Sequence, residues 1–360
     1  MINFQAPINN LGYGVAGYNI FKEIIKIHPS AALYPISTPE FTDQYIEKGM
    51  ANRGGYNGQL LYQYNGLPIY PSLKMWHQND VHTHIGKGKH IGFPIFELTE
   101  FSEEEKLSMS HCDALFVCSH WAKEILTEQG ICPVHVVPLG VDTEIFKPTP
   151  PRNDDKTIFF NCGKWEVRKG HDVLIECFNK AFEPQDNVEL WMMCDNPFIG
   201  KMNQQWQDLY KNSKLGHKIK FIPRQNTHED VYNIMRRADC GVFPARAEGW
   251  NLELLEMMAC GKRVIATNYS AHTEFCSPVN SYPINMHKRE KAYDGGVFFD
   301  GSKGEWASFG QGEKDTLTEY MRLNHFKLPA GQHPNTSGVE TANKFTWKNS
   351  AKEMINGLGI

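Results

Sequence analysis

Phe243-Pro244-Ala245-Arg246-Ala247-Glu248-Gly249-Trp250-Asn251-Leu252-Glu253-Leu254-Leu255-Glu256-Met257-Met258-Ala259-Cys260-Gly261 decides how the chain is read. A short apolar run, Cys240–Phe243, predicts a strand, and Leu252–Cys260 predicts a helix, so the residues between them form a strand-to-helix loop. The first backbone N–H groups of that helix lack intrahelical partners and make an anion site. Glu256 falls about one turn into the helix, where a carboxylate can accept paired hydroxyls such as those of a ribose. Glu248, in the loop ahead, can meet sugar hydroxyls. Taken alone, the same residues also describe a surface helix with ordinary glutamates.

Working outward, the same strand–loop–helix grammar recurs. Thr157–Cys162 predicts a strand and Asp172–Phe182 a helix. The loop between them, Gly163-Lys164-Trp165-Glu166-Val167-Arg168-Lys169-Gly170, sets Lys164, Arg168 and Lys169 where the charge of a departing diphosphate can be stabilised without a metal. A basic loop of this kind is, by itself, also the composition of a solvated face. Val188–Cys194 and Lys218–Ile222 predict strands, Glu229–Arg237 a helix and Arg263–Thr267 a strand. Thr149–Asp155, rich in proline and charge, reads as a linker.

Before the linker the alternation is similar. Ile2–Ala6 predicts a strand, Asn9–Gly17 a glycine-bearing turn, and Ile20, Phe21, Ile24 and Ile25 the apolar face of a helix. A polar Gly-rich stretch (Gly49–Gly66) follows, then strands near Ser72–Trp76, His90–Phe96, Asp113–Cys118 and Val134–Pro138, with Ser119 capping a helix over Trp121–Gln129. Gly12, Gly14 and Gly17 fit a Gly-x-Gly-x-x-Gly spacing, but no acidic residue about 20 positions on has an evident ribose role. Pro278–Asn343 reads as irregular apart from a helix over Asp315–Leu323, and Trp347–Leu358 closes as an amphipathic segment. The expectation is an α/β chain of parallel sheets: a domain over 1–150, a second over 151–342, and a closing helix over 343–360. Two such units imply a cleft, with ligands at the carboxyl ends of the strands.

Composition narrows the function. The 360 residues carry 37 basic and 41 acidic side chains, net −4, without the basic excess of a dedicated nucleic-acid binder. At 41% hydrophobic and 22% charged, the chain can bury a sizeable core. No apolar run approaches the ~18 residues of a membrane span, and the N-terminus shows no signal-peptide pattern, so a cytoplasmic protein is expected. The nine cysteines are scattered, without a Cys-x-x-Cys pair, and read as reduced thiols. His77, His82, His84 and His90 stand without a metal-ligand spacing, so no metal site is expected.

The combination resembles the large family of retaining glycosyltransferases of the family 4 (group 1) type, which have the GT-B fold of two facing Rossmann-like domains with a closing helix that crosses back. Glu248 to Glu256 matches that family's Glu-x7-Glu spacing, and Leu255–Gly261 resembles its Leu-Glu-Ala-Met-Ala-Cys-Gly run. Val136–Asp142 with Phe146 and Pro148 looks like the end of the first domain, Arg237-Ala238-Asp239 with Phe243-Pro244 like the strand entering the donor site, and Phe345-Thr346-Trp347 like the start of the last helix. The resemblance is strongest over 113–275 and weak over 277–340.

What the resemblance implies is carried residue by residue. Lys164 stands where the family often has arginine, and Lys169 matches its phosphate-binding lysine. Glu256 would hold the donor ribose; Glu248, with the backbone of Asn251 and Leu252, would hold the donor sugar and phosphate. Gly249, Trp250, Arg168 and Gly14 join the donor-binding set, and Gln225 lies where the family contacts the nucleobase. The family's Gly-Phe-Gly-Leu-Pro is here Gly249-Trp250-Asn251-Leu252-Glu253, which bears on the close backbone approach at Asn251. The first-domain histidine that faces the acceptor has His77 as its candidate and Glu97 as the alternative; His77 also has the simpler reading of a structural histidine.

The activity so implied is transfer of a sugar, with retention, from a nucleotide-diphosphate sugar to a hydroxyl of a glycan, lipid or small molecule. No cofactor is expected beyond the donor substrate, and no Asp-x-Asp occurs that would hold a cation on the diphosphate. The alternatives are another GT-B sugar-nucleotide enzyme, an epimerase or a phosphorylase, and a non-catalytic carbohydrate-binding relic. Nucleic acid is not an expected partner and no protein partner is marked. A carbohydrate or lipid-linked acceptor leaves room for peripheral membrane contact, although the N-terminal half holds no strongly basic amphipathic helix.

Overall fold

Apolar runs too short for helices become the strands, and the computed structural model arranges them in two parallel six-stranded sheets. It describes residues 2–53, 70–131, 133–150, 152, 155–326 and 334–359. Residues 54–66 of the Gly-rich stretch, Cys132, and Pro151, Asn153 and Asp154 of the linker lie outside the described residues. The chain divides into two compact units, Met1–Phe96 with Phe101–Gly140 and Phe345–Ile360, and Glu97–Glu100 with Val141–Lys344.

In the first unit β1 (Asn3–Ala6), β2 (Ala32–Pro35), β3 (Ser72–Lys74), β4 (His90–Gly92), β5 (Ala114–Val117) and β6 (Val134–Val136) line up in the order β2-β1-β3-β4-β5-β6. The strand order reverses between β1 and β3, the position at which doubly wound sheets bind ligands. The helices are α1 (Gly12–Ile27), α2 (Gln44–Ala51), α3 (Glu103–Ser110) and α4 (His120–Glu128). Ser119 caps α4 by accepting the Ala122 N–H, as its sequence position predicts. β2, α2 and α3 were not anticipated. The core of this unit includes Phe96, Phe101, Leu115, Val117 and Leu126.

The glycine-bearing turn over Asn9–Gly17 is corrected: the chain is already helical at Gly12. The glycines serve packing. A Cβ on Gly14 would lie 2.1–2.4 Å from atoms of Asn9, and one on Gly17 would lie 2.6 Å from the Pro7 carbonyl oxygen and 2.7 Å from the Ala6 Cβ. Only hydrogen at those positions lets α1 lie this close to the end of β1.

The second unit builds β7 (Thr157–Gly163), β8 (Val188–Cys194), β9 (Ile219–Phe221), β10 (Cys240–Phe243), β11 (Arg263–Asn268) and β12 (Tyr282–Asn285) into the order β12-β11-β10-β7-β8-β9. This is the doubly wound dinucleotide-fold order, with its reversal between β7 and β10. The helices are α5 (His171–Ala181), α6 (Met202–Lys211), α7 (His228–Met235), α8 (Leu252–Ala259), α9 (Gln311–Phe326) and α10 (Thr336–Lys344). Phe159, Phe178, Leu190, Met192, Val242 and Ile265 form the core between sheet and helices.

The region from Pro278 to Asn343 is also corrected. It contains β12, an antiparallel hairpin of β13 (Arg289–Tyr293) with β14 (Asp300–Ala307), and helices α9 and α10. The hairpin buries Ala292 and Trp306 against Leu98 and Ala247. α11 (Trp347–Leu358) belongs to the first unit and packs on α1.

Gly12 and Gly17 differ in the room they leave for a side chain. Gly17→Ala drives a methyl into backbone and should cost about 1–3 kcal/mol. Gly12→Ala meets nothing within 4 Å and should be neutral or slightly stabilising. Urea unfolding of the two variants checks this, and equal effects would remove the packing explanation.

Candidate functional site

The reversal between β7 and β10 puts two loops side by side: Lys164–Gly170, leaving β7, and Pro244–Asn251, leaving β10. Gly170 is the hinge of the first. Its φ is +72°, and a Cβ there would come 1.9 Å from the Pro244 carbonyl oxygen, so the two loops touch through a residue that only glycine can supply. The Arg246 N–H donates to the Arg168 carbonyl at 2.7 Å. The Arg246 guanidinium returns to the first loop, donating to the Val167 carbonyl and to both oxygens of Asp172 at 2.8 Å.

Four of the anticipated residues meet here in one ion network. Glu248 receives Lys169 Nζ on Oε1 at 2.8 Å and Arg168 Nη1 on Oε2 at 2.9 Å. Arg168 also pairs with Glu166 at 2.8 Å, and Lys164 pairs with Glu166 at 3.0 Å. All but Lys164 are nearly sealed from solvent, with Arg168 4% and Glu248 5% exposed. Burial alone would raise the Glu248 carboxyl, but Lys169 and Arg168 outweigh it and hold the group below the usual carboxylate range. Burial opposes the charge on Lys169 too, and Glu248 more than restores it. Removing one partner from such a network leaves an uncompensated buried charge, a loss of about 3–5 kcal/mol.

Glu256 is the counterpoint. It lies on α8, is 8% exposed, and among the described residues no cation or hydrogen-bond donor pairs with its carboxylate. Burial, and then the neighbouring Glu253, pushes its carboxyl up to about 8. A buried carboxyl without a partner is costly, and from α8 its charge reaches Cys162 near the end of β7.

Asn251 begins α8 in the left-handed conformation, φ +82°, and its Oδ1 accepts the Leu254 N–H at 3.1 Å. Gly249 and Trp250 are buried in the loop, the Trp250 ring 4.9 Å from that of Phe275, while Leu252 is half-buried on the first turn of α8. Gln225 sits in the loop after β9, its amide donating to the Pro223 carbonyl.

The remaining candidates separate. Gly14 lies in the first unit within α1, against Asn9. His77 follows β3 at the reversal of the first sheet, exposed, with its ring 4.9 Å from Tyr13 and 4.7 Å from Trp76. Tyr13 ties that reversal together: its hydroxyl donates to the Ile95 carbonyl at 2.9 Å and accepts the Ile95 N–H at 2.8 Å. Glu97 belongs to the second unit, 3.7 Å from Arg168, and burial raises its carboxyl despite that neighbour.

Sequence reasoning missed Glu166, which shares Lys164 and Arg168, and His171, which orders the loop. Neutral His171, held down to about 3 by burial and then by Lys169, accepts the Glu166 N–H on Nδ1 at 3.2 Å and meets Asn161 Oδ1 through Nε2 at 3.0 Å. Glu166 stood in the quoted loop, two positions from each of its cations, and that spacing was the available signal. His171 offered none. Among the described residues, no three His, Cys, Asp or Glu side chains are grouped to hold a metal ion, and no helix is long and apolar enough to cross a membrane.

Residues 142–279 match the family model described as Glycosyl transferases group 1. Among curated proteins, the chain is 24% identical over 172 residues to the uncharacterized glycosyltransferase YqgM of Bacillus subtilis (strain 168), covering 48% of this chain and 46% of that protein. It is 27% identical over 168 residues to the MMP alpha-(1->4)-mannosyltransferase of Mycolicibacterium hassiacum, covering 46% of this chain and 39% of that one. The chain thus spans less than half the length of these relatives. Among solved structures it resembles Anabaena Alr3699/HepE in complex with UDP-glucose, at 12% identity and a TM-score of 0.69, over 99% of each chain. The chain therefore has the GT-B fold and carries, over residues 142–279, a segment that matches the Glycosyl transferases group 1 model.

Proposed function

We propose that the chain transfers a sugar from a nucleoside-diphosphate sugar to a hydroxyl acceptor, with retention and without a metal ion. The observation that carries this reading is the pairing of opposites at one sheet reversal. Lys164, Arg168 and Lys169 are gathered around Glu166 and Glu248, while Glu256, on the adjoining helix, is buried with no partner of its own among the described residues. A ligand that brings both a diphosphate and a vicinal diol would satisfy both halves. The group 1 segment and the likeness to a chain solved with UDP-glucose support a nucleotide sugar as that ligand.

In this reading the diphosphate would compete with Glu248 for Lys169 and Arg168, and the free N–H groups at the start of α8 would complete its cradle. Glu248, relieved of part of its pairing, would turn its oxygens to the hydroxyls of the donor sugar. Charge developing on the leaving phosphate would be met by cations already in place, which spares reorganisation during the reaction. The departing phosphate oxygen can take the proton of the attacking hydroxyl, so attack and departure share one face and the anomeric configuration is kept. His77, after β3, would face the acceptor.

Lys169→Ala should lower turnover about 10²–10³-fold, the typical loss for one preorganised charge donor. Release of free nucleotide from a panel of nucleotide sugars measures it, and near-normal transfer would remove Lys169 from the phosphate site.

Glu256 gives a pH dependence with a definite sign. Its folded carboxyl sits near 8 against an ordinary value of 4.5, so between these the folded state holds a proton that the unfolded chain releases. Its contribution to stability is complete below about 4.5 and is lost as pH rises through about 8, whereas Glu256→Gln should lack that loss and unfold later than wild type at pH 9. Hydrogen bonds from a ribose favour the ionised carboxylate, so nucleoside-diphosphate affinity should rise through the same window in wild type and stay flat in Glu256→Gln. Urea unfolding and calorimetric titration at pH 6 and pH 9 read both. A nucleotide affinity that ignores the substitution overturns the ribose assignment.

Transfer should persist in excess EDTA and give a product with the donor's anomeric configuration, followed by proton NMR of the first product formed. An absolute metal requirement would overturn the cation account, and an inverted anomer would overturn the shared-face mechanism.

A further inference from the structure

The short turn after β11, Ser270–Glu274, touches the Glu248–Asn251 loop at three consecutive residues. Ser270 Oγ accepts the Glu248 N–H at 2.8 Å, and the Ala271 N–H donates to the Glu248 carbonyl at 3.2 Å. His272 Nε2 lies 3.0 Å from Asn251 Nδ2. Asn251 and His272 are both buried, at 6% and 0% exposure.

The protons in this contact can be assigned by elimination. Asn251 Oδ1 is already turned to the Leu254 N–H, so its Nδ2 is the atom that faces His272. His272 Nδ1 lies 3.0 Å from the Thr267 carbonyl, which can only accept, so Nδ1 carries the proton. The Thr267 hydroxyl spends its own hydrogen on the Ala245 carbonyl at 2.6 Å. His272 Nε2 is therefore bare and accepts from Asn251 Nδ2. Burial, which disfavours the charged ring, keeps this neutral form in place and holds the imidazole down to about 4.

The contact falls where the backbone needs support. Ser37, Asn251 and Ser270 are the non-glycine residues with positive φ among the described residues, and two of them belong to this one contact. Left-handed backbone at a residue other than glycine persists when its surroundings over-determine it. Here the surroundings are the Leu254 N–H on one end of the Asn251 amide and His272 on the other.

We infer that His272, through Asn251, is a positioning residue that fixes the start of α8 and the direction of its first free N–H groups. The inference rests on the proposed donor site, since it assigns to that site a support outside its own loop. Asparagine at position 251 needs the histidine, and glycine, which adopts φ +82° without strain, does not.

A double-mutant comparison tests this. UDP, GDP and ADP are titrated calorimetrically against wild type, His272→Ala, Asn251→Gly and the double variant. With the nucleotide that wild type binds, His272→Ala should weaken affinity about tenfold, and the same change on the Asn251→Gly background should alter it less than about twofold. An equal loss on both backgrounds, the sign of a general structural role, overturns the inference, as does no loss on either. Amide hydrogen exchange of Leu254 supplies a reading that needs no nucleotide. It should quicken about tenfold in His272→Ala, and an unchanged rate overturns the inference. If wild type binds none of the three nucleotides, the donor reading fails, and the exchange rate still decides whether His272 holds the helix start.

Discussion

Glu248 is the constraint around which the second unit's site is organised. Its two oxygens take one cation each, Lys169 and Arg168, and both cations come from a different loop. A carboxylate this deeply buried cannot stay ionised alone, and two such cations could not be gathered without it. Gly170 lets the loops approach, Arg246 ties them from the other direction, and Glu166 takes the remaining valence of Arg168. The network thus holds its cations in place around a carboxylate that is part of the protein, as the proposed diphosphate site requires.

That arrangement explains why the residues beside it are less settled. Glu256 has no equivalent partner among the described residues and retains a carboxyl near 8, while Asn251 sits in a left-handed conformation held from two directions. Destabilised groups concentrated beside a well-satisfied network are the physical basis of the proposed donor site.

Legibility followed burial. The long apolar strands Thr157–Gly163 and Val188–Cys194 were readable to within a residue, because both faces are covered and the run is unbroken. In the first unit five strands of three or four residues were also placed, with ends overrun by up to four residues, as at His90–Gly92, whereas the four-residue Ala32–Pro35 was missed. Gly12–Gly17 read as a turn because glycine disfavours helices, yet close packing on Asn9 and Pro7 selected it there. The β13–β14 hairpin was hidden for the opposite reason: it is largely exposed and polar, and along its strands only Ala292, Gly304, Trp306 and Ala307 are buried. At the site, the spacing from Glu248 to Glu256 and the cations of the β7 loop were visible. Their mutual neutralisation was not, because it joins residues about eighty positions apart.

The division of the chain has a consequence for its synthesis. α11 packs on α1 in the first unit, but it leaves the ribosome only after the whole of Val141–Lys344 has been made. At translation rates of roughly 5–20 residues per second, that interval lasts on the order of ten to forty seconds. Throughout it, the face of α1 on which α11 packs is without its cover. The first unit is therefore begun first and completed after the second, and until α11 emerges its nascent form carries an uncovered helical face open to contact with other chains.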